Sequence, residues 1–141
     1  SRAIKYLHQF NDKYNEGQSE ILDRFSVGEK ATHMHHIFPK SRFRIIAEYL
    51  ENLIALTSGQ HLQKAHPNGN TSVIDKVYQY TCLIAKTESI RKNIMNNHGE
   101  PVIYDFDDFM YVLDVGLQTD YFEALPSCDF NAVLTGIEFN Y

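Results

Sequence analysis

Residues 32–41 read Thr-His-Met-His-His-Ile-Phe-Pro-Lys-Ser, which puts His33, His35 and His36 within four positions. Two further histidines, His61 and His66, lie in the stretch "QHLQKAH" at 60–66. A plain surface run of imidazoles is one explanation. The sharper one is a metal site with a proton-transfer base beside it. A neutral imidazole is a good ligand for a transition metal, and its ordinary pKa near 6.5 also lets it take a proton from water near neutral pH. Phosphodiester hydrolysis uses both capacities. A divalent ion offsets charge on the scissile phosphate and the leaving oxygen, while an imidazole activates the attacking water. Asn52 stands just before the next apolar run. Its side-chain amide can lock the loop in front of it and so aim a histidine.

The elements around these residues have to bring them together. Residues 31–38 read as a strand running into Pro39, and "NLIALT" at 52–57 reads as a second strand. Ser58 is a candidate cap for a helix through "GQHLQKAH", which Pro67, Asn68 and Gly69 would end. A strand–loop–strand–helix unit can close so that His35 and His61 face each other, with His36 alongside. Upstream, Ile4, Leu7, Phe10 and Tyr14 have helical spacing over 3–16, and Gly17 closes that helix. A short helix is expected from Ser19 through Ile21, Leu22 and Phe25, broken by Gly28. Downstream, residues 72–97 form the clearest helix, with Val73, Val77, Tyr80, Leu83, Ile84, Ile90 and Ile94 as its apolar face. The tail reads as a strand, then a helix capped by Asp105 or Asp107, then a terminal strand over "AVLTGIEFNY".

With 141 residues, 43% of them apolar, the chain can bury a core. It holds no long apolar run and no secretory pattern, so neither a membrane span nor a signal peptide is expected. It starts at Ser1 rather than Met, which leaves open a processed product or a piece of something longer. Cys82 and Cys128 form no Cys-x-x-Cys pair, which excludes a cysteine zinc finger. One disulfide between them is open, but two free thiols in a reducing cytoplasm is the favoured reading. The net charge of -5 argues against a general nucleic-acid binder, yet the charge is uneven. Through residue 66 there are nine Lys or Arg against seven Asp or Glu; beyond it there are four against eleven. Lys40, Arg42 and Arg44 follow the histidine run directly, as a possible phosphate-contacting patch or a solvated loop. Lys64 has the same two readings. His33 reads as a packing or DNA-facing residue, and His8 and His98 as surface residues.

The blocks "HHIFPKS", "ENLIALT" and "QHLQKAH", in this order and spacing, resemble the HNH, or ββα-metal, nuclease motif. They look most like the HNH endonucleases of restriction and related bacterial defence systems. The likeness covers residues 31–69. By that resemblance His35 is the first metal ligand, His36 the general base, Asn52 the loop-bracing Asn and His61 the second ligand. His66 departs from the pattern. A further helix ligand normally comes four residues on, where this chain has Ala65. Five residues turn an α-helix by about 500°, which carries His66 off the ligand face. It stays a candidate ligand if the helix frays before Pro67, and Gln60 is the fallback if the register slips by one. The paired cysteines that brace many family members are absent, so flanking helices must brace this fold.

The resemblance implies an α+β fold with a ββα-metal core at 31–70. A helical flank at 1–30 and a helical, acidic extension at 71–141 would pack on it. It implies a metal-dependent endonuclease that hydrolyses DNA phosphodiesters with one divalent ion, Mg2+ or Mn2+ first, with Zn2+ or Ni2+ also open. Duplex DNA is the expected partner and the cytoplasm the expected place. A homodimer, or membership of a longer chain or complex, is expected because one site attacks one strand at a time. Two alternatives remain. One is a degradative toxin or defence effector acting on DNA or RNA. The other is an inactive HNH-like module that only binds, against which the intact His36 argues.

Overall fold

The computed structural model describes residues 1–66 and 75–141. Helix α1 spans Arg2–Tyr14. The Ser1 hydroxyl caps it by accepting from the Ile4 N–H at 3.2 Å, and Lys13 sits in the last turn, where the dipole favours a cation. Leu7 is its buried anchor and packs with Ala31, Met34, Leu53 and Ala55. Asn11 turns the chain at the far end: its carbonyl accepts from the N–H groups of Asn15 and Gly17, and its amide donates to the Gln18 carbonyl.

Strands β1 (His33–His36) and β2 (Leu53–Leu56) pair antiparallel, with His35 opposite Ile54 and His36 opposite Leu53. β2 is buried along its whole length. Leu53 and Ala55 meet α1, while Ile54 and Leu56 enter the main core. Burial on both faces explains an uninterrupted apolar run where a half-exposed strand would alternate. The outer edge of β2 is covered by the chain after α1. The Glu20 N–H donates to the Ala55 carbonyl at 2.9 Å, and the Glu20 carboxylate accepts from the Ala55 N–H at 2.7 Å. The helix expected from Ser19 does not form, because this segment spends its polar groups on the strand edge. Asp23 and Ser26 then make a local turn, the Asp23 carboxylate accepting from the Phe25 N–H.

Helix α2 (Lys76–Met95) is capped by Asp75, which accepts from the Tyr78 N–H at 2.8 Å. The expected start at 72 and the expected Pro67–Gly69 stop lie outside the described residues. Most of the expected stripe lies on the buried side of α2: Leu83 and Ile90 are buried, and Tyr80, Ile84 and Ile94 pack against the core. Val77 is 78% exposed, and the inward face is Tyr78, Cys82, Leu83 and Ile90, interleaved with Gln79, Lys86 and Asn93. Those polar residues tie α2 to its surroundings. Gln79 donates to the Ile37 carbonyl, Asn93 accepts from the Ile103 N–H, and Lys86 holds both Glu20 oxygens at 3.0 and 3.2 Å.

Helix α3 (Phe106–Leu117) is capped by Asp105, one of the two expected candidates. The strand expected before it is absent; residues 101–105 are irregular. The expected terminal strand is instead helix α4 (Phe130–Asn140), capped by Asp129 accepting from the Ala132 N–H. Phe130, Val133 and Ile137 supply its buried face at helical spacing, and Gly136 lets Tyr121 and Phe122 approach: a Cβ there would stand 2.7 Å from Tyr121. One cluster joins Ile21, Ile54, Leu56, Leu83, Phe109, Phe122, Val133 and Ile137, so hairpin, α2, α3 and α4 share a core. Cys82 and Cys128 are both free thiols. Among the described residues, no helix is long and apolar enough to cross a membrane.

Candidate metal centre

Asn52 closes the loop between the strands. It is fully buried; its Oδ1 accepts from the Phe38 N–H at 2.9 Å, and its Nδ2 donates to the carbonyls of Phe38 at 3.1 Å and Ile46 at 3.3 Å. One amide thus holds both ends of a long connection, in which Pro39 opens a turn to Arg42 and Phe43. The result fixes the C-terminal end of β1, where His35 and His36 stand.

After β2 the chain enters a π-helix, Gln60–Ala65. Gln60 anchors it. Its Oε1 accepts from the Ser19 hydroxyl at 2.6 Å and the Thr57 N–H at 3.0 Å, and its Nε2 donates to the Ile21 carbonyl at 2.7 Å. These bonds occupy the amide, so Gln60 is a brace and not the fallback ligand. A π-helix closes its hydrogen bonds over five residues, so side chains five apart come back to the same side of the helix. The helix ends at Ala65 and His66 is in extended backbone, the fraying under which the sequence kept His66 as a candidate ligand, and the wider winding helps turn the chain back toward His61. The residue just past the last turn (φ -122°, ψ 99°) comes back over His61, with their Nε2 atoms 3.1 Å apart.

Three imidazoles therefore converge. One ligand nitrogen from each of His35, His61 and His66 lies within 4.8 Å of the others. Ring centroids are 4.8 Å apart for His35–His61 and His61–His66, and 5.1 Å for His35–His66. Two nitrogens bound to one ion at roughly 2.0–2.1 Å stand about 3 Å apart, which the His61–His66 pair already matches. His35 is 2% exposed and His66 is 5%. Burial, then the imidazoles of His61, His66 and His36, hold His35 well below its ordinary pKa. Burial first, then His66, His33 and His36, lower His61 to about 4. The fold thus keeps both rings neutral, the form in which imidazole binds metal. Three imidazole nitrogens grouped around one point could hold a metal ion.

His36 lies beside this group and not in it. Its Nε2 donates to the Ala47 carbonyl at 3.1 Å, which leaves Nδ1 with a lone pair. Burial lowers its pKa, with Lys40 adding to the shift and the Ala47 bond opposing it. His33, read from sequence as packing or DNA-facing, instead touches the cluster: its Nδ1 is 2.8 Å from Nδ1 of His61. Only its spacing of two from His35 hinted at this.

Lys40, Arg42 and Arg44 are exposed on the loop between the strands, and Lys64 is half-buried on the π-helix. The Arg42 guanidinium lies 5.2 Å from the Phe43 ring centroid, and Lys64 Nζ lies 5.3 Å from that of Phe25. None of the four forms a salt bridge with a carboxylate among the described residues. His8 sits away from the site on α1, 3.5 Å from Asp12. Compared with protein-family models, with curated proteins and with solved structures, the chain matches none.

Proposed function

We propose that the chain is a metal-dependent endonuclease of the ββα-metal type, cutting phosphodiester bonds of duplex DNA. The observation that carries the reading is the grouping of His35, His61 and His66 at one point, with His36 outside it on the same strand. A purely structural metal site needs ligands but no base. Here the next residue after a ligand is an imidazole whose free nitrogen can take a proton.

The donor set suits a divalent ion from the Mn, Ni, Zn group more than one bound by oxygen alone. Such an ion, held by His35, His61 and His66, would stabilise charge on the phosphate and the leaving oxygen. The chain's own residues supply the rest. His36 Nδ1 accepts a proton from the attacking water while the Ala47 carbonyl fixes the ring through Nε2–H. Asn52 keeps the loop, and so Ala47, in place. Lys40, Arg42, Arg44 and Lys64, which have no carboxylate partner among the described residues, offer cations to neighbouring phosphates.

The test is cleavage of supercoiled plasmid with and without a chelator, run beside His36→Ala. Chelator should stop cleavage. The variant should lose on the order of 10²–10⁴ in rate while still binding metal. Cleavage that survives chelation, or near-normal turnover by the variant, would overturn the assignment.

A further inference from the structure

Both nitrogens of the His61 ring have a partner: His66 at Nε2, 3.1 Å, and His33 at Nδ1, 2.8 Å. Each contact needs one donor and one acceptor, and a neutral imidazole carries a single N–H. The three rings therefore form a chain with only two possible directions. In one, His33 donates to His61, and His61 spends its own proton on Nε2, toward His66. In the other, His61 carries its proton on Nδ1 and donates it to His33. Only the second direction leaves Nε2 of His61 bare on the side of His35 and His66, where a metal would sit.

We propose that His33 is a positioning residue for the metal centre. It accepts the Nδ1–H of His61, and so holds His61 in the tautomer and ring orientation that present Nε2 to the ion. The register supports this. His33 pairs with Leu56 at the far end of β1 from His36, so the hairpin delivers a ligand, a base and a ligand support from one four-residue strand. Partners of this kind on a ligating histidine typically change metal affinity by about 10- to 100-fold. The inference rests on the metal site proposed above, and adds a role for a residue outside the ligand set.

Two variants of similar shape separate hydrogen bonding from packing. In His33→Asn the side-chain oxygen can take the place of Nδ1 as acceptor; in His33→Leu nothing can. Calorimetric titration of Zn2+ or Ni2+ into the metal-free proteins should give an affinity for the Asn variant close to that of the unaltered chain. The Leu variant should bind on the order of 10- to 100-fold more weakly. In the Zn2+-loaded protein, 15N NMR should find the His61 proton on Nδ1. His33→Val takes the place of the Leu variant if that one does not fold. Equal affinity in all the proteins, equal losses for Asn and Leu, or a His61 proton on Nε2 would each overturn the role of His33. If the unaltered chain binds neither ion, the metal reading itself fails. If it binds and the Leu variant binds as well, only the role of His33 fails.

Discussion

Burial and three neighbouring imidazoles hold the His61 ring neutral to about pH 4. In the unfolded chain its ordinary value is 6.5. Above that pH the ring is neutral in both states. As pH falls below it, the unfolded chain takes up a proton that the folded chain refuses, so stability declines across the window from 6.5 to about 4 and then levels for this residue. His35, depressed by burial, acts in the same direction. The urea midpoint of the metal-free protein should therefore fall between pH 7.5 and 4.5, and His61→Gln should flatten that fall. An unchanged midpoint would show that these rings protonate as readily folded as unfolded. His36 gives a separate reading. Its pKa is lowered chiefly by burial, so the cleavage rate should rise with pH through a midpoint below 6.5. A midpoint above that value would take His36 out of the role of base.

The elements around the site were legible in the sequence to different degrees. β2 followed from an apolar run bounded by polar residues, β1 from the stretch running into Pro39, α1 from helical spacing, and the cap of α3 from the Asp in front of it. The failures have a common cause. Segment 19–22 and the tail at 130–140 both have apolar residues whose spacing suits more than one structure, and contacts with distant residues decide. Glu20 bonds Ala55 across the fold, and Gly136 meets Tyr121. The π-helix was not legible, because a five-residue winding leaves no periodic mark in six residues. Together with the extended backbone at His66, it brings the third imidazole to the candidate metal centre. Moving the imidazole back by one, as Ala65→His with His66→Ala, restores the usual spacing of four on paper. In this winding it should still lose metal affinity by about tenfold or more, because position 65 points into the core, where Ala65 is 1% exposed. Full affinity in the double variant would mean the segment rewinds as an α-helix. Asn52→Ala should cost on the order of 2–4 kcal/mol, since it strands the Phe38 N–H and two carbonyls away from water. A urea-derived loss under about 1 kcal/mol would show that water replaces the amide.

On the scale of the whole molecule, the charge is divided along the chain, and the half that carries the clustered histidines is the less acidic one. If Lys40, Arg42, Arg44 and Lys64 each meet one phosphate, the log–log salt slope of DNA binding should be about -3 to -4. Arg42→Ala should reduce it by roughly one unit. A slope that does not move places the DNA on another face. The candidate ligands His35, His61 and His66 all lie within the first half of the chain, whereas Phe109, Phe122, Val133 and Ile137, which fill the main core, come much later. During synthesis the donors are therefore all outside the ribosome before the packing that positions them exists. An ion caught at that stage would act as a cross-link on an unfolded chain, closing the loop from His35 to His61. By the usual chain-entropy scale that closure is worth on the order of 3 kcal/mol. On the metal-centre reading, the timing of metal supply would become a matter of folding kinetics. An early ion would give the hairpin a fixed end on which the late helices can condense.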